Sequence, residues 1–291
     1  MRRWRWALGA VALGGLALGG FLLQPVSGPA RDLSLAADAE HGAYLIRLGG
    51  CVACHTDTKA NGAMLAGGAP IVSPFGTFIP PNITSDRLAG IGNWTLADFS
   101  RAMSDGVGPK GNLYPAFPYD SYTLMSDQDI VDLYAALQQV PPVSTPAAPN
   151  RVPFPFNQRI GLSAWKTLFF HPARFEPDAA RSTEWNRGKY LAWGPGHCVA
   201  CHTPRNLLGA RDDGRPLAGS AGGPAGKVPA IDTASLEKLG YDAKGLIEVL
   251  KGGVTPSFDV PGREMGAVIS QSTSYWTDSD LTALAAYLLD Q

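Results

Sequence analysis

The chain has 291 residues, 45% apolar and 17% charged, with 34 glycines and 24 prolines; this allows two domains of ordinary size and favours loop-rich domains over long bundles. The formal charge of −1 hides an asymmetry, because Arg2, Arg3 and Arg5 open the chain, residues 1–30 hold no acid, and residues 31–291 carry 21 basic against 25 acidic side chains. No basic stripe interleaved with aromatics occurs, which excludes a nucleic-acid footprint.

The first element is apolar. After "MRRWRW", residues 7–23 form a run of 17 without a charged or polar side chain, and "PVSGPA" places a cleavage position after Ala30. A bilayer span needs about 20 apolar residues, so segment 1–30 reads either as a cleaved export signal or as a retained inner-membrane anchor. Both readings put the body on the periplasmic side and leave the arginines in the cytoplasm.

From residue 38 a helical pattern runs into "CVACHT" at 51–56. "MSDQDIVDLYAALQQV" (125–140) starts with Ser126 as N-cap and Asp129 as a partial capping box. Ile130, Leu133, Tyr134 and Leu137 then share one face. The proline-rich stretch 139–159 reads as a stiff linker. After it the chain repeats itself. "GKYLAW" leads to a second "CVACHT" at 198–203, as "GAYLIR" led to the first, and "LAGS…KVPAID" (217–232) answers "LAGG…FIPPNIT" (65–84). "WTDSDLTALAAYLLD" (276–290) opens with Thr277 and Asp280 and aligns Leu281, Leu284, Ala285 and Leu288. The prediction is an all-α tandem duplication, with units at 38–140 and 181–291 and a linker at 141–180.

All four cysteines, Cys51, Cys54, Cys198 and Cys201, lie in the two hexapeptides. Disulfides between neighbours in C-x-x-C would close tiny loops and staple little. A four-thiolate zinc site leaves His55 and His202 without a reason, and thioredoxin-like chemistry needs a βαβ context that is missing. C-x-x-C-H accounts for every residue: two thiols add to the vinyl groups of haem and the next histidine reaches the iron. Two covalently bound haem c groups are expected, held by the four thiols with His55 and His202 as proximal ligands.

"LYPAFPYDSYTLMSDQDI", "EWNRGKYL", "HCVACHTPRNLLGA" and "STSYWTDSDLTALAAYL" together resemble the multi-haem cytochrome c subunits of bacterial membrane-bound alcohol, aldehyde and gluconate dehydrogenases. The resemblance covers most of residues 38–290. It implies two class I cytochrome c domains with loop-rich haem pockets. It also implies a catalytic dehydrogenase subunit as electron donor, with quinone, another cytochrome or an oxidase as acceptor. Alcohol dehydrogenase subunits of this kind carry three haem motifs where this chain has two.

For the sixth iron ligand the two halves differ. Met265 lies 67 residues after Cys198 and ahead of the last helix, in a loop where the family pattern also has methionine. The same interval from Cys51 reaches "AFP", where Phe117 stands in place of the methionine of some relatives and cannot bind iron. Met125 is the next candidate, either as ligand or as a hydrophobic staple before Ser126, the place Trp276 holds in the second half. Met103 and Met64 follow, and His41, His171 and His197 are nitrogen candidates or partly exposed histidines. Arg205 is a partner for a haem propionate or a solvated arginine, Trp94 reads as core, and "PPN" (80–82) resembles a haem-edge loop. The expected function is one-electron transfer. The competing one is a dihaem enzyme, peroxidase-like or thiosulfate-oxidising, with one open iron face.

Overall fold

The computed structural model describes residues 19–221, 226–257 and 259–291. Residues 1–18 of the predicted export or anchor segment lie outside the described residues. Among the described residues no helix is long and apolar enough to cross a membrane.

Seven of the twelve helices named below start at a capping side chain. α1 (Ala39–Leu48) starts at Asp38, whose carboxylate accepts the amides of Glu40 and His41, and it buries Gly42, Leu45, Ile46 and Leu48. α2 (Cys51–His55) follows at once. α3 (Leu96–Asp105) begins with a reciprocal Thr95–Asp98 box and stops at left-handed Gly106. The single turn α4 (Tyr119–Tyr122) precedes α5 (Asp127–Leu137). Then come α6 (Gly161–Phe169), α7 (Thr183–Trp193) and α8 (Cys198–His202). α9 (Thr233–Lys238), α10 (Ala243–Gly252), α11 (Arg263–Gln271) and α12 (Asp278–Leu288) finish the chain. Strand among the described residues is confined to two antiparallel ribbons, β1 (Ile71–Ser73) with β2 (Gly76–Phe78) and β3 (Val107–Gly108) with β4 (Gly111–Asn112).

The chain is therefore mostly helical, and its buried apolar side chains form two clusters. Leu45, Val52, Phe99, Ile130, Leu133 and Leu137 belong to the first. Leu191, Val199, Leu246, Leu281, Leu284 and Leu288 belong to the second, which also takes in Leu48 from the end of α1. In the first, α1 crosses α5; in the second, α7 crosses α12. Both crossings are made at a glycine. A Cβ on Gly42 would lie 1.9 Å from the Asp132 carbonyl oxygen, and one on Gly188 would lie 1.9 Å from that of Ala283. The recurring Gly-x-Tyr-Leu thus has a physical reading: the glycine admits the crossing backbone, and the leucine fills the core beneath it.

The tyrosine of the same motif ties the halves together. Ser126 and Thr277 cap α5 and α12 as expected, accepting from Asp129 N and Asp280 N at 3.0 and 3.2 Å. The return half of each box runs through a tyrosine from the opposite half. Thr277 N donates to Tyr44 Oη at 3.2 Å, and that hydroxyl donates to Asp280 Oδ2 at 2.7 Å. Reciprocally, Ser126 N donates to Tyr190 Oη at 3.0 Å, and Tyr190 Oη donates to Asp129 Oδ2.

The segment 141–180 is more than a proline-rich spacer, because α6 lies within it and is strapped to the end of α3. Lys166, 1% exposed, donates from Nζ to Asp105 O, Gly106 O and Asn112 Oδ1 at 2.7, 2.7 and 2.8 Å. Arg151 pairs with Thr77 through backbone bonds of 2.8 and 2.9 Å, and Phe170 packs edge-on against Tyr119 at 4.9 Å. Proline composition hid the helical spacing of Leu162, Trp165 and Phe169.

Candidate haem-attachment sites

Each Cys-x-x-Cys-His stretch folds as a short helical turn. Helical spacing puts the two thiols of a motif, three residues apart, on one face with the histidine one residue further on. Val52 and Val199 turn the other way, into the two cores, at 2% and 0% exposure. All four thiols are free. α2 is entered through left-handed Gly50 (φ 66°) and α8 through left-handed His197 (φ 41°). Both are left through an extended threonine, Thr56 or Thr203.

The loops behind the two turns correspond bond for bond. Thr56 Oγ1 accepts from Leu65 N at 3.0 Å, and Thr203 Oγ1 accepts from Leu217 N at 3.0 Å. Gly67 N donates to His55 O at 2.9 Å, and Gly219 N donates to His202 O at 2.7 Å. Then each histidine finds one acceptor. His55 Nδ1 lies 2.7 Å from Pro81 O, and His202 Nδ1 lies 2.8 Å from Pro229 O. A carbonyl only accepts, so the proton sits on Nδ1 and the Nε2 lone pair is left free. Burial lowers the pKa of both imidazoles, against the carbonyl bond that raises it, which keeps them neutral.

The thiols are tuned alike. Burial pushes Cys51 and Cys198 up to about 12. Cys54 is exposed, yet loss of hydration beside the protein pushes it up to about 11, with the Cys201 thiol adding to the rise. At neutral pH each is a protonated S–H, the form that would add across a haem vinyl bond, and a poor partner for disulfide exchange. Paired thiols and a neutral imidazole oriented through its other nitrogen are the donor set that haem c requires, so the residues present fit that group.

The remaining candidates sort by position. Met265 is half-buried against the second cluster, and it stands in the first turn of α11 rather than in a loop. The i, i+3, i+4 spacing of Met265, Val268 and Ile269 after Gly262 explains the helix. Met125 is 2% exposed in the first cluster, which also includes Ile130 and has Cys51 and Phe117 packed against it. Met103 is buried within α3, and Met64 is 45% exposed beside Arg47. His41 Nδ1 is engaged by Asp132 at 2.8 Å, His171 is exposed, and His197 faces Gly49 O at 3.3 Å. Arg205 spends its guanidinium on the carbonyls of Gly209 and Ala200 at 2.7 and 2.6 Å, so it shapes the loop after α8. Trp94 packs against the first cluster, as its sequence context predicts. The "PPN" loop orients His55 through the Pro81 carbonyl, while Asn82 Nδ2 donates to Val143 O at 2.7 Å. Backbone carbonyls leave no residue-type signal, and the alignment of "FIPPNIT" with "KVPAID" was the available trace of them.

No family model matches the chain. It is 42% identical over 298 residues to a dihaem c-type cytochrome of Cereibacter sphaeroides, covering 99% of this chain and 98% of that protein. It is 39% identical over 255 residues to the fructose dehydrogenase cytochrome subunit of Gluconobacter japonicus, covering 85% of this chain and 51% of that one. It is also 39% identical over 264 residues to the cytochrome c subunit of the alcohol dehydrogenase (quinone) of Komagataeibacter europaeus, at 87% of this chain and 56% of that one. The chain thus spans about half the length of these two subunits and almost all of the first relative. Two matching Cys-x-x-Cys-His turns and a relative of this kind matched over almost its whole length make the chain a member of the dihaem c-type cytochromes, an electron-transfer protein with two covalently attached haem c groups.

Proposed function

We propose that this cytochrome accepts electrons from the catalytic subunit of a dehydrogenase and passes them singly to quinone, another cytochrome or an oxidase. In this reading it is exported to the periplasm, with segment 1–30 as signal or inner-membrane anchor. Two class I cytochrome c domains, 38–140 and 181–291, are connected by 141–180. Cys51 and Cys54 would hold one haem and Cys198 and Cys201 the other, with His55 and Met125 as the iron-binding residues of the first and His202 and Met265 as those of the second. The fructose and alcohol dehydrogenase subunits among its relatives support a dehydrogenase partner.

The observation that carries the ligation is the matched pair of Nδ1–H bonds to Pro81 O and Pro229 O. Bound haem c supplies a one-electron iron couple. The chain's own work is to fix, bury and orient. Val52 and Val199 anchor the two attachment turns in the cores. Pro81 and Pro229 hold the imidazole tautomer and ring direction, which raises ligand basicity. A methionine thioether bound to the iron would raise its potential.

The test is the weak far-red charge-transfer band of a methionine–ferric bond, measured on oxidised holoprotein. Wild type is expected to show two equivalents, with Met125→Leu and Met265→Leu each losing one. A single equivalent, lost in Met265→Leu alone, would make Met125 a packing residue and leave the first iron with another sixth face. Turnover of peroxide or thiosulfate by the isolated holoprotein would replace relay by catalysis.

A further inference from the structure

The two attachment turns meet end to end. Gly49 closes α1 two residues before Cys51, and its carbonyl accepts from Tyr122 Oη at 2.8 Å. His197, the residue before Cys198, points Nε2 at the same carbonyl at 3.3 Å. Its ring stands edge-on to Tyr122, with centroids 5.5 Å apart, and Nε2 lies 3.4 Å from where a Cβ on Gly50 would be. Ser272 Oγ donates to Leu48 O at 3.2 Å, and Leu48 itself is buried in the second cluster. Residues of the second half thus hold the backbone that leads into the first attachment turn.

The conformation of His197 gives this contact its weight. Gly50 and His197 occupy the same place in the two motifs, both left-handed, at φ 66° and φ 41°. Glycine takes that conformation without a Cβ penalty, whereas an L side chain there costs energy that the surroundings must offset. The first motif shows that glycine suffices for the turn. The side chain is what the second motif gains, and it reaches the backbone next to the other attachment turn. Strain of this sort gathers at functional positions.

We infer that His197 is a positioning residue for electron exchange between the two haem groups: by joining the entrances of α2 and α8 it sets their separation. The inference rests on the dihaem relay reading. The step it serves moves one electron from one iron to the other, and no bond or proton changes. Tunnelling falls exponentially with separation, so a tie across this junction acts on the rate through distance.

The experiment compares wild-type holoprotein with His197→Gly, which matches the first motif and removes the side chain. Haem content is counted first. Wild type with fewer than two haems per chain would sink the dihaem relay reading itself. Half-reduced holoprotein is then flash-photoreduced and the internal equilibration followed, with both midpoint potentials measured separately. His197→Gly should keep two haems and both potentials while exchange slows several-fold, since tunnelling weakens steeply as the separation grows. Unchanged exchange in a two-haem His197→Gly protein overturns the inference, as does slowing fully explained by shifted potentials. If that variant loads incompletely, Tyr122→Phe decides. It removes the second donor to Gly49 O, and it must slow exchange measurably at unchanged potentials for the inference to survive.

Discussion

Lys166 shows how a single residue can contradict its own polarity. Its ammonium is buried in α6 with three acceptors for three protons, two of them carbonyls at the end of α3. Burial lowers its pKa from 10.5 to about 8, with Asp105 opposing the fall. Between these values the unfolded chain binds more protons than the folded one. Stability should therefore rise with pH across that window and be lowest below it. Lys166→Met should abolish this rise. It should also cost about 1–3 kcal/mol at neutral pH, because the carbonyls of Asp105 and Gly106 lose a buried donor. Urea unfolding of both proteins, followed by far-UV circular dichroism at neutral and alkaline pH, checks slope and offset together.

At the scale of the element, helix propensity and packing make opposite predictions for Gly42 and Gly188. Propensity alone favours alanine in a helix by up to about 1 kcal/mol. The crossing backbones stand 1.9 Å from the added Cβ, a distance that forces α1 from α5 or α7 from α12. Overpacking of this kind costs about 1–3 kcal/mol, so the steric effect should win at both positions. Gly252→Ala at the end of α10 is the control, since nothing lies within 4 Å of its added Cβ and propensity acts unopposed. Thermal unfolding should show lower midpoints for Gly42→Ala and Gly188→Ala and an equal or higher one for Gly252→Ala. The glycines were legible as a repeat, but their purpose was not, because a crossing partner some ninety residues away leaves no local mark.

Across the whole molecule, the reciprocal tyrosines make one body of two similar halves. Tyr44 reaches Asp280, which its own half engages through Arg187 at 2.8 and 2.9 Å, and Tyr190 reaches Asp129. Burial alone would raise the Asp280 carboxyl, but the bonds from Arg187 and Tyr44 outweigh it and hold the pKa below its ordinary value. Tyr44→Phe and Tyr190→Phe should each cost about 1.5–3 kcal/mol, the range for hydrogen bonds to charged groups. The double variant should convert one cooperative calorimetric transition into two, as each half unfolds on its own core. A double variant that still melts in a single step would mean that the junction at Gly49 and the contacts of Leu48 suffice to couple the halves.

Sequence alone determined what depends on near neighbours. It set the helical character, the N-caps Ser126 and Thr277, the internal repeat and the two Cys-x-x-Cys-His turns, because spacing along the chain places these groups. Tertiary structure decided whatever depends on a distant partner. The Nδ1 proton of each motif histidine is assigned by a carbonyl 26 or 27 residues away. The capping boxes of α5 and α12 close through tyrosines of the opposite half, and a proline-rich stretch becomes a strap because one lysine finds three acceptors. His197 reads as an ordinary residue before a cysteine until the fold brings Gly49 to its ring, since long-range proximity is a property of packing and no local pattern encodes it.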